Sequence, residues 1–376
     1  MSGVTDLESY LASFDGDPGY LDWASFGPLS PAVRAEAQAD AELLGSGRRT
    51  SIALVDDHIR EARELVAELI GSDAAQVALQ PSTTYGLMQA IYGLAGGLML
   101  SRAEFPSLTV TATRASEAFG TLHPQWVDPA NGFMTPDAVR SALSDDTRAV
   151  AVSLVDFRTG YRADLTALRE IIGDRLLIVD AIQGFGMVDA DYLAADVVCG
   201  NGFKWLRAGR GTGFAWFGER ALERIAPVLS GFQGVEGELP VDAVPAPAAS
   251  AQAFSVAGSD SLAAARLATA LRDIVDVGAA TIESVLLERA GHIMFVADRY
   301  EIPVLTPREP ERRAGIVALA PAPQDVAPLA ASLANHGVTV TVRGGHIRVA
   351  PHVGTGADTL RLFGDALGAF SSSRVW

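Results

Sequence analysis

The chain contains a single lysine, Lys204; every other long cationic side chain among its 376 residues is arginine. Lys204 sits in GNGFKWL, with Val197, Val198, Phe203, Trp205 and Leu206 close by in sequence. Desolvation in such surroundings lowers a lysine's pKa and leaves a neutral amine able to attack a carbonyl, as Schiff-base chemistry requires. The same residue types also suit a lysine that snorkels from a strand end. A second segment, LLIVDAIQGFG, places Asp180 directly after four apolar residues. The C-terminal end of a buried parallel strand is where open α/β sheets bind ligands. A carboxylate buried there needs donors or a cation. A protonated pyridine nitrogen would be such a partner, and the pairing would strengthen that ring as an electron sink. Otherwise Asp180 caps the following turn. A third segment, VALQPSTTYGL, sets Ser82, Thr83 and Thr84 where a strand gives way to a helix. Hydroxyls and free N–H groups at a helix start suit a phosphate, and also serve as ordinary capping.

These residues need rigid elements to position them. Between about Leu21 and Leu229, short apolar runs (QVALQ, GLMLS, AVAVSLV, RLLIVDA, DVVCGN, TGFAWF) alternate with helical patterns such as DDHIREARELVAELIG, TPDAVRSAL and ADLTALREIIG. In the first of these helices Ile59, Ala62, Leu65, Val66 and Leu69 repeat at helical spacing, and Gly71 follows as a C-cap. Apolar runs separated by helices predict a mostly parallel sheet covered on both faces. Residues 231–253 are rich in Gly, Pro and Ala and read as a connector. Beyond it come a long helical stretch from Ser261 to Tyr300, the strand-like runs GIVALA and VTVTVRGGHIRVAP, and a last helix, DTLRLFGDALGAF. The expected organisation is a large α/β unit over 20–235, a connector with partner-subunit contacts over 236–260, and a smaller α+β unit over 261–376 together with 1–19.

Bulk properties narrow the function classes. The net charge of −16 disfavours nucleic acid and anionic membrane as partners. The apolar stretch from Gly86 to Leu100 is shorter than the roughly 20 residues that a membrane span needs. The acidic start, MSGVTDLESYLASFDGD, shows no secretory pattern, so a cytoplasmic location is expected. One cysteine, Cys199, allows no internal disulfide and reads as a core residue. The six histidines show no zinc-type spacing, His346 and His352 included, so no metal is expected. The glycines of GRGTGF follow the lysine turn and lead into a strand, which fails the dinucleotide fingerprint.

Taken in order, the hydroxyl-rich helix start, an aromatic turn, the strand-end Asp and the Lys resemble the class V aminotransferases. These are pyridoxal-phosphate (PLP) enzymes of fold type I, a group that includes cysteine desulfurases, kynureninases and C–S lyases. The resemblance extends from LDWASFGPLSPAV to HIRVAPHVGTGADTLRLF. It implies a large mostly parallel α/β/α sandwich with a smaller α+β C-terminal domain, a bound PLP, an amino-acid substrate and a homodimer with shared active sites. PSTTYGL is similar to the family's phosphate turn (Ser82, Thr83, Thr84), and AEFPS to the segment whose ring, here Phe105, stacks on the cofactor. VDFRTG is similar to the segment facing the ring hydroxyl, with Asp156 where Asn is usual. VDAIQGFG assigns Asp180 to the pyridine nitrogen and Gln183 to the ring-hydroxyl side, and GNGFKWL assigns the Schiff base to Lys204. Phe203 stands where the family often has a phosphate-binding His or Tyr, and Asn201 is the substitute candidate. FSVAGSDSL resembles the segment that one subunit donates to the other's phosphate, through Ser259. HIRVAP points to Arg348 as the two-pronged clamp on the substrate's α-carboxylate.

The expected activity is a class V-type amino-acid aminotransferase. The alternatives are a β-eliminating C–S lyase and a PLP-binding homologue without turnover. Persulfide-forming desulfurase chemistry is disfavoured, because no cysteine lies in the TVRGGHIRVAP region. Phe26, Trp205 and Phe232 are the expected pocket-lining residues.

Overall fold

The computed structural model describes residues 5–129, 132–237 and 242–373. Residues 238–241 of the expected connector, and 1–4 and 374–376 at the ends, lie outside the described residues. The strand-like runs become β1 (Val77–Gln80), β2 (Gly96–Ser101), β4 (Thr147–Ser153), β5 (Leu176–Asp180), β6 (Val197–Asn201) and β7 (Gly213–Phe217). One further strand, β3 (Leu122–Val127), carries Pro124 and His123 and lies at the sheet edge. That is the position where a strand tolerates proline and lacks a fully apolar pattern. The sheet order is β1-β7-β6-β5-β4-β2-β3. β3, β2, β4, β5 and β6 run parallel, and β7 runs antiparallel to β6 and β1.

Every residue of β5 and β6 is buried, because alternate side chains feed two cores. Val150, Val152, Leu177, Val179 and Val198 pack on one face with Val66, Leu168 and Leu271 from covering helices. Ala149, Ala151, Ile178, Val197 and Cys199 pack on the other with Leu87, Ile91, Leu108 and Ala112. This is the covered α/β/α arrangement expected of a parallel sheet. The helix expected over DDHIREARELVAELIG runs over Arg49–Ile70 and ends at Gly71 in the left-handed conformation, φ 85°.

The long C-terminal helical stretch is two helices, Ser261–Val277 and Ala279–Arg299, broken at Gly278 with φ 85°. The first packs with Val66 and the large sheet's core, while the second passes from that core to another around Ile293, Val317, Ile347 and Phe363. Here β8 (Val317–Leu319), β9 (Thr341–Arg343) and β10 (His346–Val349) form an antiparallel sheet in the order β8-β10-β9. Gly344 and Gly345, both at positive φ, make the tight turn between β9 and β10. The N-terminal segment ties this sheet to the large one. Tyr20 and Asp22 bridge Thr339 and Ala350, and Leu21 is buried in the third core.

Candidate active site

The parallel strands deliver Ser153 and Asp180 side by side at their C-terminal ends, with Asn201 two residues beyond Cys199, the partner of Asp180. Beyond Asn201 the chain turns, and the turn is heavily specified. The Asn201 side-chain oxygen accepts from the Phe203 N–H at 3.1 Å and from the Thr212 hydroxyl at 3.2 Å. Gly27 donates its N–H to the Phe203 carbonyl at 2.9 Å. A Cβ on Gly27 would lie 1.8 Å from the Lys204 carbonyl oxygen, so only glycine lets the N-terminal segment approach this closely. Arg207 takes φ 62°, and its guanidinium compensates by donating to the Ser13 hydroxyl and carbonyl, both at 2.8 Å.

The turn leaves Lys204 only 7% exposed. Its Nζ lies 5.7 Å from the ring centre of Phe105 and 5.5 Å from that of Phe203. Burial pushes its pKa down to about 8, Asp180 pulls it back up, and Arg348 and Arg343 add repulsion. Asp180 is 2% exposed and accepts one hydrogen bond, from the Ile182 N–H at 3.1 Å. Burial raises its pKa to about 6, with the Ile182 bond and the Lys204 charge opposing. The site therefore presents a buried amine and a buried carboxylate, neither fully compensated by the protein. Both are poised to change charge near neutral pH.

The helix Thr83–Tyr92 begins beside β1, with the Ser82 hydroxyl capping the Tyr85 N–H at 3.4 Å. Thr83 is buried, and its hydroxyl has no hydrogen-bond partner among the described residues. Thr84 shares a hydrogen bond with Ser107 at 2.7 Å, which couples this helix start to that of Pro106–Phe119. Phe105 precedes that second helix and meets Phe157 edge-on at 5.1 Å.

Arg348 is 6% exposed. Its Nη1 donates to the Phe157 carbonyl at 3.0 Å, and its Nη2 to the Ser25 hydroxyl at 2.5 Å and Asp22 at 3.4 Å. Nε has no partner among the described residues. The guanidinium is thus held in place with donor capacity to spare.

Other expected residues serve the scaffold. Gln183 accepts from Trp205 Nε1 at 2.8 Å and donates to the Ala24 carbonyl at 3.1 Å, so it ties the lysine turn to the N-terminal segment. One of its two amide hydrogens is left over from these bonds. Asp156 accepts from the backbone N–H groups of Arg158 and Thr159, both at 2.8 Å, and pairs with the Arg158 guanidinium at 2.7 Å. Its carboxylate shapes the loop that carries Phe157. Trp205 is 2% exposed and packs beneath the turn, whereas Phe26 and Phe232 are 38% and 52% exposed. Cys199 is fully buried and its thiol is pushed well above the usual range. Ser259 is exposed and, with Pro81, Tyr85 and Gly213, lines a cavity of about 400 Å³.

His352 supports the turn from below. Its Nδ1 accepts from the Val353 N–H at 2.8 Å, so Nε2 carries the hydrogen donated to the Trp205 carbonyl at 2.8 Å. Burial drops its pKa to about 3, which keeps it neutral. His352→Ala removes that bond and opens a cavity beside Phe14 and Trp23. The expected cost is about 2–4 kcal/mol, read as a lower midpoint in chemical denaturation.

The family model for aminotransferase class-V matches residues 20–359. The chain belongs to this family. A kynureninase of Deinococcus radiodurans is 31% identical over 322 residues, covering 79% of this chain and 76% of that protein. A cysteine desulfurase IscS of Ectopseudomonas mendocina is 30% identical, but over 46% of each chain. Among solved structures, an apo cysteine desulfurase of Thermococcus onnurineus NA1 superposes with a TM-score of 0.85 at 19% identity over 99% of both chains. The cystine C–S lyase C-DES, in complex with cysteine persulfide, gives 0.84 at 18% identity over 95% of this chain and 98% of that one. A variant of C-DES carries glycine covalently linked to its PLP cofactor. The fold is the one that these enzymes share.

For a class V member, three groups at this site had no signal in the sequence. Glu104 accepts from the Ser153 hydroxyl at 2.5 Å and backbone N–H at 3.2 Å. Burial lifts its pKa to about 7, the Ser153 hydrogen bonds oppose, and the charges of Asp156 and Asp180 add to the rise. Asp22 and Ser25 orient Arg348 from 323 or more residues away. Arg343, at the end of β9, lies 5.4 Å from the Phe157 ring centre and adds positive charge facing Lys204. Only the close approach of AEFP to the sheet, or the pairing of β9 with β10, reveals them.

Proposed function

We propose that this class V enzyme binds PLP and acts on an amino acid, cleaving a bond at the substrate's β carbon. The observation that carries this reading is Lys204, buried between Phe105 and Phe203 beside the carboxylate of Asp180. The donor set suits the cofactor. The unpartnered Thr83 hydroxyl and the start of its helix would hold a phosphate. Asp180 would pair with a pyridine nitrogen, Phe105 would cover a ring, and Lys204 would hold the cofactor covalently. PLP, when bound, supplies an electron sink for a carbanion at the substrate's α carbon.

The chain's own residues would do the rest. Arg348 would grip the α-carboxylate with its remaining donors, and the Lys204 amine would move the α proton as base and acid. Phe105, Phe203 and Phe157 keep water from that amine. Ser259 lies on an exposed face with Tyr85 and Val256, which supports a homodimer in which each subunit completes the other's phosphate site.

Lyase chemistry is favoured over the transamination expected from the sequence, because the named relatives are kynureninase, cysteine desulfurases and a C–S lyase. The persulfide route is disfavoured, since Cys199 is buried in β6. The test is a titration of the PLP-loaded protein with L-amino acids and cysteine conjugates, followed by absorbance and product assay. Lyase activity gives pyruvate or another β-cleavage product, with the cofactor band recovering unaided. A band that stays bleached until a keto acid is added establishes transamination and overturns the lyase reading.

Arg343 bears on the substrate's side chain. No ion pair reaches its guanidinium among the described residues, so an anionic side chain or conjugate is favoured. Arg343→Ala should raise KM about three- to tenfold for substrates with a second carboxylate and leave neutral ones unchanged. Steady-state kinetics on both classes checks this.

A further inference from the structure

Away from the active site, three helices meet around His58: Pro31–Gly45, Arg49–Ile70 and Ser261–Val277. Glu36 and Asp40 lie one turn apart on the first helix and face His58 on the second. His58 Nε2 is 3.2 Å from Glu36 Oε1 and 3.3 Å from Asp40 Oδ2. One ligand atom from each of the three residues lies within 4.8 Å of the other two. On the far side of the ring, Nδ1 is 3.1 Å from Glu61 Oε2. Arg272, on the third helix, grips Glu61 with two bonds of 2.6 and 2.7 Å.

This arrangement fixes the imidazole. The Glu61 carboxylate only accepts, so Nδ1 faces it as the donor and the ring orientation is set from that side. Nε2 then points at one oxygen of each carboxylate, at 3.2 and 3.3 Å, so one imidazole nitrogen and two carboxylates are brought together. Asp40 is 4% exposed, and its Oδ2 has no hydrogen-bond partner among the described residues. A proton on Nε2 would serve one carboxylate and leave the other unmatched; a metal cation serves all three groups. The two distances from His58 Nε2 to the carboxylates suit a metal. Ligand bonds of about 2.0–2.1 Å in a tetrahedral site put neighbouring ligand atoms about 3.3–3.4 Å apart. The Arg272–Glu61–His58 chain is the outer-shell support that orients metal-binding histidines.

We propose that Glu36, Asp40 and His58 bind a first-row divalent cation of the zinc type, with water in the fourth position. One imidazole nitrogen and two carboxylates make a mixed N/O set, which suits zinc over magnesium or calcium. The Glu36 side chain is 31% exposed and gives the ion its entry. The ion straps together the two helices that follow the segment holding Arg348 and the lysine turn, and its role is structural.

The test uses PLP-loaded full-length protein, stripped with a chelator and titrated with zinc chloride by calorimetry. Thermal unfolding is measured with and without zinc, and with magnesium as control. The proposal expects one zinc per chain and a higher Tm. It also expects affinity at least a hundredfold weaker in both Asp40→Asn and His58→Gln, with the cofactor band intact. Tetrahedral d–d absorption from bound cobalt(II) in the unmodified protein gives a readout that needs no variant. Absence of stoichiometric binding overturns the proposal. So does zinc binding that both variants retain, and so does cobalt without the tetrahedral signature.

Discussion

Lys204→Ala protein should fold, bind PLP weakly without a covalent link, and lose turnover by about a thousandfold or more. The loss is large because one amine has two tasks, holding the cofactor and moving the α proton, and no second lysine exists to substitute. Lys204→Arg should fare no better. Its guanidinium keeps the charge that Asp180 faces, but it cannot act as a nucleophile or give up a proton near neutral pH. The pH dependence follows from the lowered pKa of about 8. The neutral amine is the reactive form, so the rate of PLP uptake by apoprotein should climb with pH up to about 8 and level off above it. An unperturbed lysine would keep climbing for about two further units. Stopped-flow absorbance at a series of pH values measures this.

The second large effect belongs to Arg348. Arg348→Ala should lower kcat/KM by roughly 10²–10³, or about 3–4 kcal/mol, with most of the change in KM and the cofactor band unaltered. The protein has already immobilised this guanidinium through Phe157, Ser25 and Asp22, so little ordering remains to oppose substrate binding. Arg348→Lys keeps the charge and loses the fork, and should recover only a small part of the affinity. Steady-state kinetics with the best substrate from the amino-acid panel checks both. An Arg348→Ala enzyme with unchanged KM would remove this residue from the substrate site.

The elements that carry Lys204, Asp180 and the Thr83 helix start were legible because each is local. A continuous apolar run ending in Asp marks a buried parallel strand, and a lone lysine among apolar residues marks a desolvated amine. β3 was not legible, since an edge strand with Pro124 and half-exposed positions lacks the pattern. The helix Pro31–Gly45 was missed for a related reason: it buries only Val33 and Asp40 and shows little apolar periodicity. The break at Gly278 was hidden because a single glycine inside a helical pattern is compatible with continuation. The resemblance points Gln183 and Asp156 at the cofactor, while in the structure their hydrogen bonds hold Trp205 and the Phe157 loop. Glu104, Arg343 and the Asp22–Ser25 pair act across the fold, where sequence spacing has no meaning. The His58 cluster was invisible for the same reason, its ligands coming from facing helices and not from a compact motif.

The most direct test of the central assignment is reductive trapping. The purified protein is incubated with PLP, its visible absorbance recorded, and the complex reduced with borohydride, digested and mapped by mass spectrometry. The expected result is a visible band that reduction abolishes, and a phosphopyridoxyl group on the peptide containing Lys204. No band after added PLP, or a modification confined to the N-terminal amine, would contradict it.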